Sequence, residues 1–149
     1  MTGLPRKWRA AVDKVLNYLA LARKGGRAEL GEEPVGIAAR ALKAHLILVA
    51  GDASDHTWRR AKSFVAGTEQ QCVRVPFTKE EVGFDIGRTS LAIAAITDAA
   101  LALALLKALP DAEKHTAAIA VLEEKSRKLR QRQTEAKAHK RNVRMGKKK

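Results

Sequence analysis

Apolar positions along this chain switch between a helical spacing and short continuous runs. Trp8, Val12, Val15, Leu16 and Leu19 follow Pro5 at helical spacing, and proline is tolerated in a first helical turn. Arg23 and Lys24 suit the negative end of the helix dipole, and Gly25-Gly26 should end that helix. A short segment around residues 27–30 leads to Gly31. A second helix should begin near Glu32–Pro34, with acids in its first turn, and run to about Lys43.

His45 to Ala50 is a short, almost wholly apolar run, as expected of a strand buried on both faces. Gly51-Asp52-Ala53-Ser54 ends it and supplies a helix cap. Trp58, Ala61 and Val65 predict a third helix, closed by Gly67. Residues 72–77 read as another strand. Thr78 with Glu81 fits a capping box, so a short helix should follow. Residues 83–90 form a loop holding Gly87, Arg88 and Thr89. Residues 91–96 make a third apolar strand, and Thr97-Asp98 cap a helix reaching Leu109. Strand and helix alternate throughout. That order argues an α/β (α+β) body with a mostly parallel or mixed sheet and helices on both faces.

Pro110 breaks the chain, and Asp111 can cap one more helix. Ile119, Leu122 and Leu129 give it a thinning apolar face. Beyond Leu129 almost nothing can pack, so the helix should leave the body there, charged on all sides. The expected division is a sandwich domain over residues 1–109 and a basic helical or disordered extension over residues 110–149.

Charge sharpens that division. The last 24 residues hold eleven Lys/Arg against one acid, Glu135, which is +10 of a formal net charge of +13. A single-sign tail repels itself and cannot bury a core. It calls for a polyanion, because releasing the counterions condensed on nucleic acid drives cation binding. The plain alternative is a solubilising tail. A membrane surface ranks below both, since the tail lacks the Trp, Phe and Leu face of an interfacial helix. One cysteine, Cys72, rules out an internal disulfide and a cysteine zinc cage and suits a reducing cytoplasm. No run approaches a membrane-spanning length and no signal-type segment opens the chain, so a cytoplasmic protein is expected.

The residues offer little for catalysis. Neither a phosphate-loop motif nor the dinucleotide-binding glycine pattern occurs. His45, His56, His115 and His139 are scattered without metal-ligand spacing, and His45 reads as structural. Cys72, beside Val73 at the start of an expected strand, reads as a small buried hydrophobe. Asp52 and Asp55 resemble a carboxylate pair, but helix capping explains both. The expectation is no enzyme, no cofactor and no metal.

Three segments carry a resemblance: residues 21–27 (Leu-Ala-Arg-Lys-Gly-Gly-Arg), residues 30–33 (Leu-Gly-Glu-Glu) and residues 46–54. Thr57, Arg60, residues 77–83, Ile86-Gly87 and residues 94–98 extend it. Together they resemble the kink-turn RNA-binding ribosomal-protein superfamily (ribosomal proteins L-seven-Ae and L-thirty-e), and most nearly its bacterial YlxQ-like branch. The resemblance covers roughly residues 12–109. It implies a three-layer α-β-α sandwich with a mixed sheet of about four strands, gripping RNA at one edge. It places that grip at residues 31–37 and residues 86–91. In archaeal and eukaryotic members the pattern G-[TX]-N-E-x-x-K would put Asn, Glu and Lys where Glu33, Pro34 and Ile37 stand here.

The expected RNA-binding residues are therefore Lys24, Gly26, Arg27, Gly31, Glu32, Glu33, Gly87, Arg88 and Thr89 at the folded edge, with Arg127, Lys128, Arg130 and Arg132 in the tail. Each has a plainer alternative. Glu32 and Glu33 can simply complement a helix dipole, Gly87 can be a turn glycine, and Lys24, Arg27 and Arg88 can be solvated charges. The leading expectation is a monomeric, non-catalytic RNA-binding protein, ribosomal or ribosome-associated, that has ribosomal or other structured RNA as partner and no membrane. The alternative is a protein-interaction module built on the same sandwich.

Overall fold

The computed structural model describes residues 5–84 and 86–146. Residues 1–4, 85 and 147–149, the tail's last three lysines among them, lie outside that range. After a 3-10 turn at Arg6–Trp8 come α1 (Arg9–Lys24), β1 (Ala28–Leu30), α2 (Glu32–Arg40), β2 (Leu46–Val49), α3 (Asp55–Val65) and β3 (Gln71–Arg74). Then follow α4 (Lys79–Phe84), β4 (Ile93–Ile96), α5 (Ala99–Ala108), a second 3-10 turn at Ala112–His115, and α6 (Thr116–Gly146).

The four strands form one mixed sheet in the order β1-β4-β2-β3. β4 runs antiparallel to both β1 and β2, while β2 and β3 are parallel. All four residues of β2 and of β4 are buried, as their unbroken apolar runs require of central strands covered on both faces. Helices α2 and α3 cover one face, and α1 and α5 cover the other, which completes the three layers. The core is aliphatic, with Leu19, Leu46, Ile47, Ile96, Leu105 and Leu106 fully enclosed.

Local chemistry sets the joints. Thr78 and Glu81 make a reciprocal capping box: the Thr78 N–H donates to Glu81 Oε1 (3.0 Å), and the Glu81 N–H donates to Thr78 Oγ1 (3.1 Å). Ser54 accepts from the Thr57 N–H at the start of α3, and Asp98 from the Leu101 N–H at the start of α5. Asp52 also caps, but at long range, accepting from the Lys79 N–H (2.8 Å). Gln70 is buried and fastens two turns. Its Oε1 accepts from the Ala44 N–H (2.9 Å), and its Nε2 donates to the Ala39 carbonyl (3.2 Å).

Several boundaries differ from the sequence reading. β3 ends at Arg74: the Val75 N–H still donates to the Val49 carbonyl, but the Gly51 N–H skips ahead to the Phe77 carbonyl, which breaks the regular ladder, and Pro76 is accommodated because β3 lies at the sheet edge. β4 begins at Ile93 rather than Leu91, since the Leu91 N–H is spent on the Lys79 carbonyl. α2 stops at Arg40, where Leu42 and Lys43 turn back to bond the Ala39 and Ala38 carbonyls. Asp111 caps nothing with its side chain. Its carboxylate turns inward instead, and Oδ2 lies 3.7 Å from His115 Nε2.

α6 begins as part of the body. Ala118, Leu122 and Ser126 are buried, and α6 packs against α5 in the antiparallel sense. Lys107, near the end of α5, pairs with Glu123 (3.2 Å), while Ala100, near its start, shares a groove with Arg127 and Arg130. Past that point every described side chain of α6 is exposed. No helix among the described residues is long and apolar enough to cross a membrane.

Candidate nucleic-acid interface

Strand direction decides which loops meet. β1 ends, and β4 begins, at one end of the sheet, and the Gly31 N–H donates to the Ile93 carbonyl there (3.0 Å). The start of α2 and the loop ahead of β4 therefore form a single rim. Gly31 sits at φ 96° and ψ 162°, a conformation that side chains resist, so glycine alone turns the chain sharply from strand into helix. The Val35 N–H bonds the Gly31 carbonyl, Pro34 has no N–H, and the amides of Glu32 and Glu33 are left as the free donors of the first turn.

The two acids part company. Glu32 forms a salt bridge with Arg60 on α3, and the Arg60 guanidinium also lies 5.3 Å from the Phe64 ring centre. Glu32 is thus held in a brace between α2 and α3. Glu33 is exposed and, among the described residues, has no ion-pair or hydrogen-bond partner for its carboxylate. Its two acceptor oxygens remain available to an incoming donor edge.

The second wall of the rim is the loop after α4. Ile86 and Leu91 are buried and pin its two ends. Gly87 (φ 73°), Arg88 and Thr89 face solvent between them. The Arg88 N–H donates back to the Gly83 carbonyl (2.9 Å), folding the loop onto α4. Gly83 is the hinge of that closeness. A methyl group there would stand 2.9 Å from the Arg88 carbonyl oxygen and 3.0 Å from Ser90 Cα.

Two exposed apolar side chains also stand in these segments. Ile37, one helical turn beyond Glu33, is 56% exposed, and Phe84, where α4 enters the loop, is 79% exposed. Phe84 belongs to no motif that the sequence marks out. Its only signal was an aromatic residue beside Gly83 in a stretch too short to bury both of its sides. An exposed ring next to a loop offers a stacking face to an unpaired base.

The expectation that Lys24, Gly26 and Arg27 share this rim is corrected by the strand geometry. The Thr97 N–H donates to the Arg27 carbonyl (2.8 Å), which places all three beside the end of β4, at the far end of the sheet. Four residue steps of extended chain put Arg27 roughly 13 Å from Gly31. The basic helix belongs to the far end as well. Lys125, Lys128, Leu129 and Arg132 line an open groove of about 940 Å³ with His45, Thr68, Glu69 and Gln71, residues at the starts of β2 and β3.

Charge along this stretch of α6 is arranged unevenly. Arg127 is already committed, with Nε and Nη2 donating to the two oxygens of Glu124 (3.1 and 2.6 Å). These hydrogen bonds hold the Glu124 carboxyl below its ordinary range and raise the guanidinium's. Lys128, Arg130 and Arg132 have no carboxylate within ion-pair distance among the described residues. His45 Nδ1 is buried without a partner. Burial first, and the Lys125 charge second, push its imidazole below the ordinary value, against a smaller pull from Asp98. Burial likewise raises the Cys72 thiol, against a smaller pull from Lys62, which favours the neutral thiol over the thiolate.

No protein-family model matches the sequence, and neither does any curated protein. Solved structures do share the fold. A protein of unknown function from Bacillus halodurans superposes with a TM-score of 0.59 at 23% identity, covering 64% of this chain and 95% of that one. The Giardia lamblia 15.5kD RNA binding protein superposes with a TM-score of 0.57 at 14% identity, covering 76% of this chain and 94% of that one.

Proposed function

We propose that this chain is a non-catalytic, cytoplasmic RNA-binding protein, ribosomal or ribosome-associated. Its rim reads a structured RNA of the kink-turn kind, and its C-terminal helix holds phosphates. The observation that carries this reading is the convergence at one sheet end of a glycine-started helix, an exposed acceptor at Glu33 and the exposed loop Gly87–Thr89. The fold shared with the Giardia RNA-binding protein supports it, as does the resemblance to the kink-turn-binding ribosomal superfamily.

Each part has a physical task. The free amides of Glu32 and Glu33 and the positive end of the α2 dipole suit a phosphate. The Glu33 carboxylate suits the N1–H and N2–H₂ edge of a guanine, which a sharply bent RNA with sheared pairs exposes. Phe84 and Ile37 suit the face of an unstacked base. Where the archaeal and eukaryotic pattern has Asn, Glu and Lys, this chain has Glu, Pro and Ile, so it would recognise its RNA with fewer polar contacts and more apolar surface.

The test is a comparison of the full chain's affinity for an RNA stem interrupted by tandem sheared G·A pairs and for a plain RNA duplex. A preference of tenfold or more for the interrupted stem is expected, matching one or two base contacts at about 1–3 kcal/mol each. Equal affinity, together with a cellular partner that co-purifies after ribonuclease treatment, would overturn the reading in favour of a protein-interaction module.

A further inference from the structure

We infer that the protein holds two separate RNA segments at once, one at the α2 rim and one on α6, and so acts as a bridge. This rests on the RNA-binding reading above but goes beyond it. A rim and a tail that gripped one short site would need to face the same way, and here they do not.

The direction of α6 separates the two surfaces. α5 leaves the sheet from the end of β4, and α6 returns antiparallel to it, with Glu123 against Lys107 and Arg127 and Arg130 beside Ala100. α6 therefore passes the starts of β2 and β3, at His45 and Gln71, and continues outward from that end. The Gly31 rim lies at the opposite end, beside Ile93. From Arg127 to Gly146 the helix adds about 30 Å, all of it directed away from the rim. No turn or glycine interrupts α6 before Gly146, so nothing built into it can fold the cations back.

The chemistry of the far end suits a duplex backbone rather than a particular base. Lys128, Arg130, Arg132, Lys137, Lys140 and Arg141 are exposed and lack carboxylate partners within ion-pair distance among the described residues. They are distributed around the helix rather than along one stripe. No Phe, Tyr or Trp occurs on α6 to stack a base. Such a rod binds through counterion release and is indifferent to sequence. The rim has the complementary character: few unpaired charges, a fixed backbone shape and an exposed ring. The two surfaces therefore do not compete for the same feature of RNA.

The experiment uses the full chain and two RNAs. A biotinylated stem interrupted by tandem sheared G·A pairs is immobilised, and a fluorescent plain duplex is offered with increasing protein. Bridging predicts that captured duplex rises to a maximum near equivalence and falls in excess protein, as each RNA acquires its own copy. The triple variant Arg130→Glu, Arg132→Glu, Lys137→Glu should cut capture at least tenfold and leave the preference for the interrupted stem over a plain duplex within threefold of the natural chain's. Glu33→Ala should weaken binding to the immobilised stem, and capture with it, while leaving binding to the free duplex within threefold. Mutual displacement of the two RNAs at every ratio, capture insensitive to the triple variant, or capture confined to concentrations where sedimentation shows a dimer would each overturn the bridge. A preference for the interrupted stem without capture leaves the function reading standing and removes the bridge. Capture without that preference keeps the bridge and removes the specificity assigned to the rim.

Discussion

The rim around Gly31 and the outer half of α6 use opposite physics. The rim is defined by backbone: a positive-φ glycine, a loop closed onto Gly83, and two acids of which one is already braced by Arg60. The outer helix is defined by charge, with no buried side chain beyond Ser126 among the described residues. Geometry of the first kind can discriminate between RNAs but gives little general affinity. Charge of the second kind gives affinity everywhere and discriminates little. On the reading proposed above, specificity and grip would sit on different elements, so that each could change without spoiling the other.

The largest expected effect comes from removing the charge. Replacing Lys128, Arg130, Arg132, Lys137 and Lys140 by Gln should flatten the slope of log affinity against log salt by about 3.5 to 4.5, if each cation meets a phosphate. A titration of a plain duplex across a salt series measures it, and an unchanged slope would break the contrast outright. Next is the anchor. Leu122 is fully buried, so Leu122→Ala should cost about 2–5 kcal/mol of stability, read from a denaturant midpoint. A negligible loss would mean that α6 is not part of the folded body.

A smaller effect is expected at Glu33. Glu33→Ala should weaken binding to the G·A-interrupted stem by about 1–3 kcal/mol and leave duplex binding unchanged, as loss of a base contact does. A uniform loss would place Glu33 with the phosphate-binding groups instead. The smallest concerns His45. Its imidazole is held below the ordinary value of 6.5, so the folded state resists the proton that the unfolded chain accepts. Its stability contribution is therefore full above that value and declines as the pH falls through it toward the folded value. Urea midpoints from about pH 7.5 to about pH 5.5 should fall more steeply for the natural chain than for His45→Gln.

Much of this was legible in the sequence because local rules and burial agreed. The unbroken apolar runs at residues 46–49 and 93–96 marked central strands, and Thr78 with Glu81 marked the start of α4. The Gly31 turn was legible too, since glycine directly before two acids suits a helix entrance. Placement was not. Lys24 and Arg27 lie close to Gly31 along the chain, yet strand β1 carries the backbone from one end of the sheet to the other between them. Only pairing with β4 shows that separation. The heading of α6 was hidden for the same reason, because it depends on α6 returning along α5. Phe84 was missed because exposure, not residue type, makes it notable.

Gln70 has a consequence for the distance between the two ends. Helix α2 starts at the rim, and the turn that follows it is fastened by Gln70 to the segment that floors the α6 groove. Nine residues of helix make a strut about 13 Å long, clamped at both tips. Whatever the protein holds at one tip is kept at a set spacing from what it holds at the other, much as a gauge block fixes a gap.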